Sequence, residues 1–240
     1  AAQANDTSTV RIASSQGSEP VEIDVSGEIP EADPKWANYP RGVMQYFREQ
    51  TSCTLPGFDA YITSNVPSGG GLSSSAAFEL ATATLLEGLT GIKLDTKTKA
   101  LLCQKAEHNY AHCPCGIMDQ FASAFGKKDR LVMIDCQSGK PTLVPFENPA
   151  LTVIVANTCV AHELSDGGYA SRRKATEDGL QIIGKSSWRQ VSMADVDAAK
   201  EQMGDVVYQR SRHVVGEIQR TMDAAKALEA NDFDTLGPLM

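Results

Sequence analysis

VPSGGGLSSSAAFELA, residues Val66–Ala81, places three glycines and three serines directly before an apolar, alanine-rich run. The preceding residues, GFDAYITSN, alternate as a β-strand does, and residues 76–89 have the composition of a helix. A loop between a strand and a helix N-terminus directs backbone N–H groups toward one point, where the helix dipole also favours negative charge. The stretch therefore predicts an anion site, with a solvent-exposed connector ending in a serine N-cap as the alternative.

The residues of the loop narrow the kind of anion site. Glycines at positions 69–71 permit positive φ and close backbone approach, and serines at positions 73–75 offer hydroxyl donors or a magnesium ligand. The loop does not end in the Gly-Lys-Ser/Thr of a Walker A motif, which excludes an ordinary P-loop. Leu72 inside the loop, and the strongly helical run after it, argue against a free linker.

The overall composition excludes several classes of partner. The chain has 240 residues and a net charge of −8, with no basic stripe, which argues against a nucleic-acid partner. No apolar run approaches the roughly 20 residues that span a bilayer, so we expect no membrane partner and a cytoplasmic location. We also expect a monomer. The six cysteines are too sparse for a disulfide scaffold, which predicts free thiols.

The order of the patterns predicts an α+β fold with two domains. Strand and helix patterns alternate up to Ala161, and helical patterns predominate after it. We therefore predict an N-terminal domain over residues 1–158 and a C-terminal domain over residues 159–240. The first strands are expected to pair with segments before residue 1, and no closing element is predicted at the end. We accordingly expect a fragment truncated at both ends.

Local patterns predict the main elements. Residues 10–25 predict a β-hairpin or two neighbouring strands, and residues 34–50 predict a helix that Pro40 bends or interrupts. Asp95 is the predicted N-cap of a helix over residues 96–111, and residues 130–146 predict a hairpin. The nearly continuous apolar run ALTVIVANT, residues 150–158, predicts a strand covered on both faces. Helices are predicted over residues 169–183, 193–202 and 205–230.

Five motifs, in matching order and spacing from about Pro34 to the C-terminus, carry a family resemblance. PSGGGLSSSAA resembles the phosphate-binding motif of the GHMP sugar kinase superfamily, while PKWANYPRGVMQYF, AEHNYA, CGIMDQF and SRHVVGEIQRT resemble the galactokinases within it. The resemblance implies a two-domain architecture, with an N-terminal domain like domain 2 of ribosomal protein S5 and the start of a ferredoxin-like C-terminal domain. It also implies ATP and Mg²⁺ as cofactors and galactose as the sugar that is phosphorylated on its C1 hydroxyl.

The resemblance implies a nucleotide-binding role for one group of residues. The loop expected to wrap the triphosphate of ATP consists of Gly69, Gly70, Gly71, Leu72, Ser73, Ser74 and Ser75. Trp36 and Tyr39 match aromatic residues beside the adenine. Ser74 is expected near the magnesium ion, and Glu107 matches an acidic residue near the same ion.

A second group is implied to bind the sugar. Asp119 matches the catalytic aspartate beside the attacking hydroxyl, Gly116 matches a backbone contact, and Tyr169 matches a tyrosine that lines the sugar pocket. The position of Asp119 supports this role on its own terms, because the first turn of a helix stabilises an ionised carboxylate that can accept or orient a hydroxyl proton. A helix cap or a solvated charge is the alternative for an isolated aspartate there.

Two related functions remain as alternatives. One is an N-acetylgalactosamine kinase, although CGIMDQ favours galactose. The other is a non-catalytic sensor of galactose and ATP, although such sensors tend to lose serine-loop residues that are complete here. The family's Arg and Glu-His-x-Asp motif would lie before residue 1 and its glycine-rich third motif after Met240. We therefore expect the isolated chain to be inactive and poorly stable.

Four possible metal ligands lie close together in the segment EHNYAHCPC. They are His108, His112, Cys113 and Cys115. A Cys-Pro-Cys spacing is tighter than the Cys-x2–4-Cys pairs of tetrahedral zinc sites, so we favour a helix end with buried thiols over a metal site.

Overall fold

A computed structural model describes residues 1–15, 19–149, 151–156 and 168–240, which form two compact units. The first unit comprises Ala1–Gly126 together with Val155 and Ala156, and the second comprises Lys127–Ile154 and residues 168–240. Strands and helices occur in both units, as the predicted α+β class requires. The predicted domain boundary at residues 158/159 lies outside the described residues. Over the described ranges, no helix has the length and apolar character needed to cross a membrane.

The first unit contains a four-stranded sheet of order β1-β4-β2-β3. Its strands are β1 (Ala2–Ala4), β2 (Thr9–Ser14), β3 (Val21–Asp24) and β4 (Phe58–Ile62). Strands β2 and β3 are neighbours in the sheet, as predicted, and they pair antiparallel. The expectation that their partners lie before residue 1 was wrong for β2, because its second neighbour is β4, which runs parallel with Ile12 opposite Ala60. The sequence pattern shows which face of a strand is apolar but not which strand lies beside it.

Four helices belong to the first unit: α1 (Asn38–Thr51), α2 (Ser74–Thr90), α3 (Thr96–Tyr110) and α4 (Met118–Phe125). A short 3-10 helix, Lys35–Ala37, precedes α1. The sequence suggested that Pro40 would bend or interrupt this helix, but α1 continues through it. Pro40 lies in the first turn, where its missing N–H would have no intrahelical acceptor. The predicted cap is confirmed, since the Asp95 side chain accepts from the Thr98 N–H at 3.0 Å.

The core of the first unit joins the sheet to α1, α2 and α3. Val10 and Phe58 from the sheet, Phe47 from α1 and Leu86 from α2 are all almost completely buried. Burial of such side chains stabilises the fold by about 1.5–3 kcal/mol each. This core holds α2, whose N-terminal end follows the glycine and serine loop.

The second unit contains the predicted hairpin and a group of helices. The hairpin strands are β5 (Arg130–Asp135) and β6 (Lys140–Pro145), paired antiparallel. The helices are α5 (Gly168–Ile183), α6 (Met193–Ala198), α7 (Lys200–Glu229) and α8 (Phe233–Leu239). Gly204, with φ 66° and ψ 170°, breaks the helical geometry inside α7, so the long regular part begins at Asp205 as predicted.

The prediction of a strand over residues 150–158 was wrong for the part that the structure describes. Residues 151–156, the described part of the predicted strand 150–158, form no strand, and Val153 and Ile154 are 70% and 85% exposed. No strand in the described residues pairs with this segment, and an apolar run forms a buried strand only where neighbouring strands cover it. Helix α8 begins with a side-chain cap, the Asp232 carboxylate accepting from the Thr235 N–H at 3.0 Å.

Candidate active site

The glycine and serine loop has the geometry of an anion-binding cradle. Gly69 and Gly71 both have φ of +70°, and a Cβ built on either would meet no atom within 4 Å, so open space lies beside the backbone. Ser73, at the N-cap of α2, has φ 58° and its side chain makes no capping hydrogen bond. The first N–H groups of α2 are therefore not capped by this serine, which leaves donors for an external anion.

The 3-10 helix places Trp36 next to the helix that follows the loop. The ring of Trp36 lies 6.3 Å from the ring of Phe78, in a tilted arrangement, and Phe78 is on the second turn of α2. Trp36 is half-buried. The structure therefore brings Trp36, one of the two residues expected beside the adenine, to the helix that follows the glycine and serine loop.

A buried amide connects two acidic side chains near the loop. Nε2 of Gln120 donates to Oε2 of Glu79 at 3.1 Å and to Oε2 of Glu107 at 2.5 Å. All three side chains are at most 3% exposed. The remaining oxygens, Oε1 of Glu79 and Oε1 of Gln120, are buried without a hydrogen-bond partner. Three helices, α2, α3 and α4, thus meet at one polar point inside the first unit.

Burial and negative charge dominate the electrostatics of this cluster. Burial raises the pKa of Glu79 to about 9, and the charges of Glu107 and Asp119 raise it further, while the hydrogen bond from Gln120 opposes the shift. Glu79 is therefore a neutral carboxylic acid at pH 7. Burial also raises the pKa of Tyr39 to about 12, with the charges of Glu107 and Glu79 next in importance. Tyr39, on α1, accordingly lies close to the acidic cluster.

Asp119 occupies the position that the sequence predicted for it. It lies in the first turn of α4, is partly exposed, and follows the exposed Gly116 by three residues. Its neighbour Gln120 points into the protein and anchors α4 to α2 and α3. The backbone that carries Asp119 is therefore held in place by an adjacent buried side chain.

Tyr169, the remaining predicted sugar contact, lies at the start of α5 in the second unit and is 49% exposed. The other predicted site residues belong to the first unit. The role of Tyr169 in the sugar pocket stays a prediction.

The turn after α3 brings two thiols to the acidic cluster. Sγ of Cys115 donates to Oε2 of Glu107 at 3.5 Å, and Cys113 is 7% exposed. The predicted burial is confirmed for Cys113, whereas Cys115 is half-buried. Five cysteines within the described ranges are free, and Cys159 lies outside those ranges. His112 faces away, since its Nε2 lies 2.8 Å from Glu31 Oε2.

Sequence reasoning missed Glu79 and Gln120. A signal existed for Glu79, because it is the one ionisable residue among the first 13 residues of an otherwise apolar and small-residue helix, SSAAFELATATLL. An acidic residue on the buried face of a helix is rare unless it has a partner. Gln120 gave no such signal, because its role depends on two residues that are far away in sequence.

Comparison with known proteins identifies the class of protein. Residues 38–127 match the family described as GHMP kinases N terminal domain. Galactokinase from Homo sapiens is 44% identical over 207 residues, which cover 86% of this chain and 52% of that protein. Galactokinase from Glaesserella parasuis is 39% identical over 223 residues, which cover 91% of this chain and 57% of that protein. The chain thus spans about half the length of these relatives.

The same class is found among solved structures. The crystal structure of Lactococcus lactis galactokinase complexed with galactose superposes with a TM-score of 0.87 at 27% sequence identity, over 99% of this chain and 63% of that one. Residues 38–127 are therefore a GHMP kinase N-terminal domain, and the predicted GHMP-kinase-type fold is confirmed. Within that class, the particular proteins that the chain resembles over most of its length are galactokinases.

Proposed function

We propose that this chain carries the phosphate-binding and catalytic region of a galactokinase. The reaction transfers the γ-phosphate of ATP to the C1 hydroxyl of galactose and gives galactose 1-phosphate and ADP. The observation that carries the proposal is the joint placement of two features in one unit. The open glycine loop precedes the uncapped start of α2, and Asp119 lies in the first turn of α4, which Gln120 anchors to α2. The galactokinase relatives support the choice of sugar.

Each predicted residue has a physical role in this reaction. Backbone N–H groups of the loop 69–75 would hold the phosphates of ATP, and Trp36 and Tyr39 would line the adenine. Asp119 would accept or orient the proton of the C1 hydroxyl, an effect worth roughly 10²- to 10⁴-fold in rate. Gly116 and Tyr169 would contact the sugar. Most of the remaining rate enhancement in phosphoryl transfer comes from positioning and from neutralising charge.

The residues proposed for Mg²⁺ have suitable chemistry. Ser74 offers a hydroxyl and Glu107 a carboxylate, and Mg²⁺ prefers hard oxygen ligands. The region is also negatively charged, since Glu107 and Asp119 both act to raise the pKa of Glu79. When bound, Mg²⁺ would neutralise charge on the phosphates.

The deciding experiment supplies the part of the relatives that the chain does not cover. A chimera would replace the aligned half of human galactokinase with this chain, and galactose 1-phosphate would be measured by phosphorus NMR alongside ADP release. We expect ADP release that depends on galactose and is much weaker with N-acetylgalactosamine. A folded chimera, verified by circular dichroism, that binds ATP and galactose without turnover would support the sensor function instead.

Asp119→Asn in the chimera tests the catalytic role, and Asp129→Asn is its matched control. Asp129 is exposed and has φ of +59°, a conformation that asparagine adopts well. We expect kcat to fall by about 10²- to 10⁴-fold in Asp119→Asn and to stay unchanged in Asp129→Asn. Full turnover in Asp119→Asn would remove Asp119 from the catalytic role.

The free thiols are in keeping with a cytoplasmic enzyme, which we also propose.

A further inference from the structure

The two thiols at the end of α3 form a cluster with the carboxylate of Glu107. One ligand atom from each of Glu107, Cys113 and Cys115 lies within 4.8 Å of the other two. Glu107 and Cys113 are buried and Cys115 is half-buried, so the cluster is enclosed but reachable from the side of Cys115. The Cys-Pro-Cys spacing alone had argued against a metal site. Glu107, on α3 and six residues before Cys113, supplies a third ligand. With this ligand the site does not need the Cys-x2–4-Cys spacing of a tetrahedral zinc site.

The segment that carries the thiols is held rigidly against α3. The N–H of Cys115 donates to the carbonyl of Cys113 at 2.8 Å, which forms a tight turn around Pro114. Nε2 of Gln104 donates to the carbonyl of Cys115 at 3.2 Å, and Nε2 of His108 lies 2.8 Å from the same oxygen. Hydrogen bonds that orient ligand residues in this way raise metal affinity, since they are formed before the ion arrives.

The spacing of the ligand atoms suits a tetrahedral ion. With Zn–S near 2.3 Å and Zn–O near 2.1 Å, the sulfur and oxygen of two tetrahedral ligands lie about 3.6 Å apart. Sγ of Cys115 and Oε2 of Glu107 are 3.5 Å apart. In the metal-free protein the thiol proton occupies the line between these two atoms, and an ion would replace it.

The surrounding charge also suits a cation. The Glu107 carboxylate is the main negative charge acting on both thiols, and the Asp119 carboxylate adds a second at Cys113. A divalent ion brings two positive charges while the two thiols release two protons to solvent. The net charge of the cluster is therefore unchanged by binding.

We propose that Glu107, Cys113 and Cys115 bind one thiophilic divalent cation of the Zn²⁺ class, with a fourth position open to solvent. Two sulfur ligands select Zn²⁺ or Cd²⁺ over Mg²⁺, which prefers oxygen. Because Glu107 is also the carboxylate proposed for Mg²⁺, an ion bound here takes that side chain away from the nucleotide. Occupancy would then inhibit phosphoryl transfer, a consequence that rests on the proposed function. Binding of the ion does not depend on the proposed function.

The test titrates the reduced 240-residue chain with Zn²⁺ and Cd²⁺ in the absence of nucleotide and sugar. Native mass spectrometry counts the bound ions, and the ultraviolet charge-transfer band of Cd²⁺ bound to thiolate reports sulfur ligation. We expect one ion per chain, not displaced by excess Mg²⁺. A chain that takes up no ion, or that takes up an ion without the thiolate charge-transfer band, overturns the proposal. Neither result bears on sugar phosphorylation, which the chimera tests separately.

Variants assign the ligands. Cys113→Ser, and separately Glu107→Gln, should weaken binding by more than about 100-fold, because losing a ligand exceeds the roughly 10- to 100-fold effect of losing a supporting hydrogen bond. Cys136→Ser, which removes an exposed thiol of the second unit, is the matched control and should leave the affinity unchanged. Binding that survives in Cys113→Ser, or that is lost in Cys136→Ser, would place the ion elsewhere. If a variant proves unfolded by circular dichroism, the Cd²⁺ band of the unmodified chain still decides whether thiolates bind the ion.

Discussion

Nε2 of Gln120 lies 2.5 Å from Oε2 of Glu107, and this hydrogen bond ties α4 to α3 next to Asp119. The same nitrogen reaches Oε2 of Glu79 on α2. One amide therefore positions three helices, two of which carry a predicted site residue in their first turn. The stability of the first unit and the geometry of the proposed site both depend on a residue that would contact neither substrate.

Gln120→Leu should destabilise the chain without changing its surface. The substitution removes the donor to a buried carboxylate, and a hydrogen bond to a charged group contributes about 1.5–3 kcal/mol. We expect the free energy of unfolding in urea to fall by about that amount. Gln219→Leu is the matched control, because Gln219 donates to the exposed Asp223 in the second unit and should leave the unfolding midpoint nearly unchanged. Equal effects of the two substitutions would contradict the structural role of Gln120.

Glu79→Gln should change how stability depends on pH. The folded pKa of Glu79 is raised from 4.5 to about 9, so the folded state keeps a proton that the unfolded state loses. Its contribution to stability is therefore complete below pH 4.5 and decreases as the pH rises toward 9, by up to about 1.4 kcal/mol per pH unit. Glutamine does not titrate and keeps the same shape.

The measurement is urea unfolding of both proteins at several pH values between 5 and about 8.5. We expect the stability of the unmodified protein relative to Glu79→Gln to decrease steadily over this range. Parallel curves would show that Glu79 is ionised in the folded protein. The negative charges of Glu107 and Asp119 both favour the protonated form of Glu79, so they add to the effect of burial on its pKa.

Local sequence patterns were sufficient to predict the features that depend only on residues close together in the chain. The Asp95 cap, the strand, loop and helix around Gly69–Ser75, and the place of Asp119 in the first turn of α4 all depend on residues close in the chain. The parallel pairing of β2 with β4 joins Ile12 to Ala60, and no local pattern specifies that partner. The strand predicted over residues 150–158 was wrong for the same reason, because burial of an apolar run depends on which strands lie beside it.

The candidate site divides in the same way. The residue types of the loop predicted an anion site, and the family resemblance supplied roles for individual residues. The cluster of Glu79, Glu107 and Gln120 could not be predicted, because it joins three helices separated by up to 41 residues. The raised pKa of Glu79 follows from burial, which only the packed structure reveals.

Ile154→Lys should reduce aggregation of the chain without loss of folding. Ile154 is 85% exposed and lies between Val153 and Val155, which are 70% and 60% exposed. Exposed runs of β-branched residues promote intermolecular strand pairing, and a charge within the run opposes it. We expect a higher soluble fraction by light scattering and an unchanged circular dichroism spectrum. Val10→Lys, at a fully buried position, should instead unfold the first unit.

Gly71→Ala and Gly88→Ala together isolate the role of backbone conformation in the phosphate loop. A Cβ at either position meets nothing within 4 Å, but Gly71 has φ of +70° whereas Gly88 lies inside α2. Gly88→Ala should raise the free energy of unfolding by about 0.4–1 kcal/mol, because alanine restricts the unfolded chain and favours the helix. Gly71→Ala should lower it by about 1–2 kcal/mol, because an L-residue is strained at positive φ. If the loop holds phosphate, Gly71→Ala should also weaken Mg·ATP binding in calorimetry while Gly88→Ala leaves it unchanged. Equal nucleotide affinity in the two variants would show that the conformation of this loop is not what binds the triphosphate.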